Sequence, residues 1–543
     1  MKQYERTDIK MYNYNDNTAH SMKTFYNPGL KNENSKNLFF TVYSTLQYSL
    51  TIDDHNLTIL GGYSQERSSN RNFNAYRSNM PFNNLTELNA GSAENQTLGG
   101  GLEEWALRSF FGRLNYSFKN RYLFEANVRY DGTSRMSPDH RWGVFPSFSA
   151  GWRLSEEKFM KRFSKLDNLK IRASWGQLGN QNIGAYPYQS VYDTGLLYPF
   201  GSTAESGVAV TSMVDRNLGW EKTTEYGAGV DFSYNKGLFS FSLDGYKKIT
   251  TGILSKLDIP ASIGLGAPTT NFAEMQNVGF DLELGHRNRI GEVDYSVSAN
   301  ISHFTNKVNK VVAPSYGVTT VQIGHPYGSY YLVTWDGIFQ NEDEIKNSPY
   351  HPNNPKPGDL KFKDTNGDNK INADDRTIHD GAFPDFYYGI NMDVSWKNFD
   401  LNLFFQGVQG QKHYVVGGGA QPFTAGGAPT KEFYENCWRE DRPTNEHPAM
   451  YQQGYAANMG TPNTYYLVNA SYFKLKSFNL GYTLPRPFVN RIGIDNIRIF
   501  LTGDNVFTIT KYPYGDPDRN IKNADMMAYP QVSSYSLGVQ IKF

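Results

Sequence analysis

The chain has 543 residues and equal numbers of basic and acidic side chains, 53 of each, so no global field draws it to nucleic acid. Aromatic residues make up 15%, with Tyr the commonest at 38, yet mean hydropathy is −0.59. No apolar run is long enough for a transmembrane helix. An aromatic-rich but globally polar chain is what alternating lipid-facing and lumen-facing residues produce on average. The single cysteine, Cys437, excludes an internal disulfide and a multi-thiol metal site, and is expected to be passive.

The N-terminus, MKQYERTDIKMYNYNDNTAHS, has neither an apolar core of signal-peptide length nor a small-residue cleavage site. Residues 1–36 are expected to be the remnant of an extracellular loop, and 37–543 an incomplete barrel.

Period-2 alternation then dominates. In Phe110–Phe118, Phe110, Leu114, Tyr116 and Phe118 oppose Arg113, Asn115 and Ser117. In Arg121–Asp131, Tyr122, Phe124, Ala126, Val128 and Tyr130 oppose Glu125, Asn127, Arg129 and Asp131. Val293–Ile301 and Leu401–Gln406 repeat the pattern. Short connections at Asp53–His55, Lys119–Asn120, Asn235–Gly237, Arg289–Glu292 and Lys397–Asn398 largely take turns with long ones at 67–105, 177–218, 250–269, 340–383, 411–470 and 511–530. Up-and-down outer-membrane barrels have such short periplasmic turns and long external loops, and the reading gives about 15 to 17 strands. Segment 306–339 is ambiguous, with an extra hairpin possible at Gly324–Gly328. The fold class expected is all-β, an antiparallel transmembrane β-barrel with long extracellular loops.

One loop carries metal-ligand spacing. Asp364, Asn366 and Asp368, the Lys370 carbonyl, Asn372 and Asp375 fall at positions 1, 3, 5, 7, 9 and 12 of an EF-hand-type loop. A hard cation needs about six to eight oxygens, so Ca²⁺ is the candidate. Asn369 stands where such loops have Gly, and Asp375 is shorter than the usual Glu. The bland alternative is a loop of Asx turns without metal. Aromatics of the long loops, Tyr330, Tyr331, Trp335, Tyr387 and Trp438, read as girdle or loop packing before sugar platforms. Inward carboxylates such as Glu125, Asp131 and Asp294 read as a polar lumen. No P-loop, HExxH, GxSxG or CxxC pattern occurs, so neither an enzyme nor an organic cofactor is expected.

The last strand alternates Tyr535, Leu537, Val539, Ile541 and Phe543 with Ser536, Gly538, Gln540 and Lys542. Apolar alternation closing on Phe resembles the signal read by the barrel-insertion machinery.

Several blocks resemble the SusC/RagA family of TonB-linked transporters: RYDGTSRMSPDHRWGVFPSFSAGWRLSEE from Arg129, LKIRASWGQLGNQ from Leu169, LGWEKTTEYGAGVDFSY from Leu218, PGDLKFKDTNGDNKINADDRTIHDGAFPDFYYGIN from Pro357, ASYFKLKSFNLGYTLP from Ala470 and LTGDNVFTITKYPYGDPD from Leu501. The resemblance implies a 22-stranded barrel with a plugged lumen, lidded by a SusD-like surface lipoprotein and energised by TonB. Together these import oligosaccharides or peptides across the outer membrane. Measured against that family, this chain is expected to be a plug-less fragment, with TonB engaged by a missing N-terminal part. A passive porin-like channel and a surface-exposed adhesin are the alternatives.

Overall fold

The computed structural model describes residues 2–7 and 29–543, apart from 83, 95, 258, 313, 418, 425–427, 452–455, 490, 492 and 519–530. Sixteen strands form one antiparallel sheet in which each strand pairs with the next of the series. They are β1 (Lys2–Thr7), β2 (Leu30–Ile52), β3 (His55–Arg77), β4 (Thr97–Phe118), β5 (Tyr122–Thr133), β6 (Trp142–Arg153), β7 (Leu166–Asn180), β8 (Glu221–Tyr234), β9 (Phe239–Lys256), β10 (Thr269–Ile290), β11 (Val293–Lys310), β12 (Phe386–Trp396), β13 (Phe399–Gln409), β14 (Tyr472–Thr483), β15 (Asn496–Thr510) and β16 (Ser534–Lys542). Among the described residues β1 and β16 have one neighbour each. β1 pairs with Leu30–Ser35 at the long-loop rim.

The turns follow from local chemistry. A two-residue hairpin turn that matches strand twist needs positive φ at both central positions. Lys119 and Asn120 adopt φ 54° and 51° between β4 and β5, and Lys236 and Gly237 adopt 60° and 74° between β8 and β9, with Asn235 before them also at 55°. Asn tolerates this region because its short polar side chain bonds locally.

Register carries one polar face through the sheet. Glu125 lies opposite Ser149, Ser149 opposite Ser174, Arg172 opposite Gly229 and Gly229 opposite Asp244. Asp244 then lies opposite Asp281, Asp281 opposite Ser302, and Ser298 opposite Asn391. The other face carries exposed Phe110, Tyr122, Phe124, Val128, Tyr130 and Phe148. Phe124, Val297 and Leu537 all lie on this apolar face. In a bilayer it meets lipid, and the polar face lines the lumen.

The loop boundaries differ from those expected. β3 and β4 pair from His55↔Phe118 to Tyr76↔Thr97, which shortens the expected 67–105 connection to 78–96. A strand needs only about 9–11 residues to cross the membrane, so these long strands project beyond the external rim. The connections 134–141 and 154–165, around the hairpin strand β6, were not anticipated. Beyond Lys310, where β11 ends, the described residues of segment 306–339 add no barrel strand. Ser315–Tyr316, Thr319–Val321, Ser329–Val333 and Arg376–His379 form a separate four-stranded sheet, and the hairpin around Gly324 and Gly328 belongs to it.

Candidate functional site: the lumen face and the external loop layer

The lumen face is a web of paired charges. Arg172 on β7 donates to Asp231 at 3.1 Å and Ser242 at 3.1 Å and forms an ion pair with Asp244. Ser242 donates to Asp231 at 2.9 Å, and Lys170 sits 3.6 Å away. Arg113 donates to Asn127, which donates to Glu125, both at 2.7 Å. Asp131 pairs with Arg129 at 3.1 Å and Asp294 with Arg289 at 3.7 Å. The carboxylates Glu125, Asp131 and Asp294 thus each sit with a hydrogen-bonding or cationic partner on a polar wall. Near the external rim the wall turns aromatic: Phe304 stacks with Tyr387 at 6.3 Å and meets Phe383 edge-on at 5.7 Å.

Above the rim the long loops share a core. Val333, Ile338, Leu360, Phe362 and Ile371 from 311–385 pack with Trp438 and Tyr466 from 410–471. Val415, Ala420 and Ala470 pack with Tyr512 of the last loop. Polar bonds cross between the loops. Trp438 Nε1 donates to Gln340 at 3.0 Å, the Leu360 amide to Asn458 at 2.8 Å, and Tyr330 OH to the Lys412 carbonyl at 2.9 Å. Trp335 meets Tyr465 edge-on at 5.4 Å. Tyr330, Trp335 and Trp438 are therefore loop-packing residues. Tyr331 lies against Tyr316, and Tyr387 faces the lumen. Cys437 is buried, its thiol donating to the Tyr434 carbonyl at 3.4 Å.

Two polar pins fasten this layer. His447 bonds Tyr465 OH through Nδ1 at 2.6 Å and Glu432 through Nε2 at 2.8 Å. Burial pushes the Tyr465 phenol well up. Burial also opposes ionised Glu432, but hydrogen bonds from His447 and Asn436 outweigh it and hold the carboxyl below its ordinary value. Lys474, fully buried at the top of β14, pairs with Asp516 at 2.8 Å and Asp518 at 3.3 Å, and Lys476 reaches Asp518 at 3.2 Å. No sequence motif marked this pin, although YGDPD lies within a family-like block.

The Asp364–Asp375 loop closes on its own amides. Asp364 accepts from Gly367 and Asn369 at 2.7 and 2.9 Å, Asn366 from Asp368 at 2.9 Å, and Asp368 from Lys370 at 2.9 Å. Asn372 accepts from Asp374 at 2.6 Å, and Asp375 from Thr365 and Asn372, both at 2.8 Å. Desolvation opposes the Asp364 charge, but amide donors overcome it and keep its pKa below the usual range. Asn369 adopts φ 60°, the left-handed geometry that its place in the loop requires. The oxygen-rich donor set is of the type a hard cation takes, although Asp375 Oδ1 already accepts from both the amide and the hydroxyl of Thr365. Among the described residues, however, no three His, Cys, Asp or Glu side chains gather closely enough to hold a metal ion.

Tyr535, Leu537, Val539 and Ile541 are exposed on the apolar face of β16, and Phe543 follows, 85% exposed.

A meander of this width, wet on one face and aromatic on the other, defines the class: a transmembrane β-barrel of the bacterial outer membrane. Comparison with known proteins places it further. A family model for the TonB dependent receptor-like beta-barrel matches residues 2–506, and the chain belongs to that family. TonB-dependent receptor P3 of Formosa agariphila is 29% identical over 530 residues, covering 92% of this chain and 52% of that protein. TonB-dependent receptor SusC of Bacteroides thetaiotaomicron is 29% identical over 536 residues, covering 93% and 50%. The chain spans about half the length of these relatives. The RagAB peptide importer in its open-open state superposes with TM-score 0.82 at 22% identity, over 97% of this chain and 56% of that one. At that identity the likeness is one of fold. These relatives carry receptor and transporter names.

Proposed function

We propose that the chain forms the pore wall and external platform of an importer that carries oligosaccharides or peptides across the outer membrane. A SusD-like surface lipoprotein would seat on its external loops, chiefly 177–218 and 411–470. TonB would act through the part of the parent protein that the relatives carry beyond the matched half. The observation that supports this reading most is the core shared by Val333, Leu360, Trp438 and Tyr466. Loops of this length are rarely mere connections, and a buried core with cross-loop bonds makes a fixed platform. The test is affinity purification of the tagged full-length parent from outer membranes in mild detergent, together with growth on oligosaccharide or on peptide as sole nutrient. Co-purification of a lipoprotein and loss of growth on one nutrient class when the parent is deleted are expected. No lipoprotein and unchanged growth would sink the reading.

Two subsidiary roles belong to the same proposal. Tyr535, Leu537, Val539, Ile541 and Phe543 would be read by the barrel-insertion machinery, so Phe543→Ala should lower the assembled fraction. Calcium at Asp364, Asn366, Asp368, Lys370, Asn372 and Asp375 would brace the loop. Calorimetry on the full-length parent should then show binding that Asp364→Ala and Asp368→Ala abolish. A silent titration would leave the loop as a self-bonded turn.

A further inference from the structure

The connection between β6 and β7, residues 154–165, is fastened to the outside of the short-turn rim. Glu157 accepts from Tyr122 OH at 2.7 Å, Trp152 Nε1 at 3.1 Å and Arg121 at 3.3 Å. Tyr122 and Trp152 lie on the apolar face, stacked at 6.4 Å, and Phe118 stacks on Tyr122 at 6.2 Å. Aromatic rings at a strand end mark the boundary between hydrocarbon and headgroups. The segment continues from that boundary in tight turns: Met160 N donates to Glu157 O at 3.0 Å and Phe163 N to Met160 O at 2.9 Å.

Its side chains divide sharply. Both acids are engaged, Glu157 as described and Glu156 with Arg153 at 3.4 Å. Lys158, Lys161, Arg162 and Lys165 are exposed, and among the described residues none pairs with a carboxylate. Phe159 and Phe163 are 57% and 48% exposed, with the Arg162 guanidinium 4.8 Å from the Phe163 ring. Two bare phenyl rings among four unpaired cations suit neither bulk water nor hydrocarbon. They suit an interface where rings enter the acyl boundary and cations meet phosphate.

We propose that residues 158–165 form a seat for anionic phospholipid headgroups in the periplasmic leaflet. Continuity with the Tyr122–Trp152 girdle selects a lipid surface over a soluble protein, and the unpaired cations select anionic over zwitterionic lipid. Phe159 and Phe163 anchor the segment, and Lys158, Lys161, Arg162 and Lys165 bind phosphate. Through Glu157 the bound lipid is coupled to the strands β5 and β6.

The test uses the full-length parent in nanodiscs of equal parts phosphatidylglycerol and phosphatidylcholine, with retained lipids counted by native mass spectrometry. Phosphatidylglycerol should be enriched at least about fivefold, the preference that one cation contributes near an anionic surface, and the enrichment should fall as salt rises. The combined variant Lys158→Gln, Lys161→Gln, Arg162→Gln and Lys165→Gln should abolish the enrichment while keeping the heat-modifiable mobility of a folded barrel. Phe159→Ser with Phe163→Ser should weaken retention of both lipids. If the charge variant does not fold, the salt dependence of the unaltered protein decides. Equal retention of the two lipids, enrichment that survives the charge changes or ignores salt, or capture of a soluble periplasmic protein without lipid preference would overturn the proposal.

Discussion

The ammonium group of Lys474 lies 2.9 and 2.8 Å from the two carboxylate oxygens of Asp516, and the lysine has no exposed surface. The pair joins the top of β14 to the last external loop, and Asp518 adds a second carboxylate at 3.3 Å. Removing one member of a buried pair leaves the other uncompensated, at a cost of about 3–5 kcal/mol. The Asp side chains keep some solvent contact, so the lower end applies. Lys474→Met should therefore release the 511–518 segment to protease in intact outer-membrane vesicles, and adding Asp516→Asn and Asp518→Asn should restore resistance. Unchanged cleavage in Lys474→Met would mean that Tyr512 packing and the Lys476–Asp518 pair hold the loop without Lys474.

A second prediction concerns acid. His351 is buried against Phe362, with ring centroids 5.6 Å apart, and burial pushes its pKa below the ordinary imidazole value of 6.5. The folded state therefore disfavours the proton. Its contribution to stability is complete above pH 6.5 and is lost as pH falls towards and through the depressed value. The protection factors of amides in 350–371, taken relative to the intrinsic exchange rate at each pH, should fall between pH 7 and pH 5 and stay flat over that range in His351→Phe. Equal pH responses of the two proteins would assign the acid effect elsewhere.

What was legible in the sequence is what depends on nearest neighbours. Strand alternation follows from the two-residue repeat, so Tyr122, Phe124, Ala126, Val128 and Tyr130 declare a face without any tertiary information. The Asp364–Asp375 loop is equally local, because its donors and acceptors lie a few residues apart. The upper parts of β3 and β4 were read as loop because Ser68–Asn74 and Gly99–Glu103 carry few apolar residues. Beyond the bilayer a strand no longer needs them, and the ladder pairs them regardless. The glycine signals at Gly324 and Gly328 are the same for a barrel hairpin and a loop hairpin, so sequence could not assign the sheet. Lys474 and Asp516 meet only when two distant segments pack, as do Trp438 and Gln340. No local spacing encodes such contacts.

Asp375 tests how far the acidic loop supports itself. It is fully buried and accepts from Thr365 and Asn372 amides at 2.8 Å each. Asp375→Ala removes the acceptor of both donors, and because Thr365 is exposed and Asn372 half-buried the cost is at the low end of about 1–3 kcal/mol for an unpaired group. Amide protection across 365–372 should collapse, with the shared core at Trp438 less affected because it has its own packing. Retained protection would show that the Asx turns of Asp364, Asn366 and Asp368 suffice without their closing residue.

The sharpest test of register uses two adjacent residues on β11. Ile301 lies opposite Leu282 and Tyr388 on the apolar face, whereas Asn300 lies opposite Glu283 and Gly389 on the polar face. The strand starts at Val293, so this pair lies eight and nine residues in, within the membrane-crossing part of the strand. An arginine on the lipid face there costs up to about 2–4 kcal/mol, the midplane value. On the lumen face the same side chain gains Glu283 as a cross-strand partner, and a glycine opposite it on the other side leaves room. Ile301→Arg should therefore shift the urea midpoint for unfolding from lipid vesicles sharply downward and reduce the heat-modifiable fraction, while Asn300→Arg stays near the parent in both. Because a one-residue slip exchanges the two faces of every strand, the opposite ranking of these neighbours would place the apolar residues in the lumen and reverse the assignment of the whole sheet.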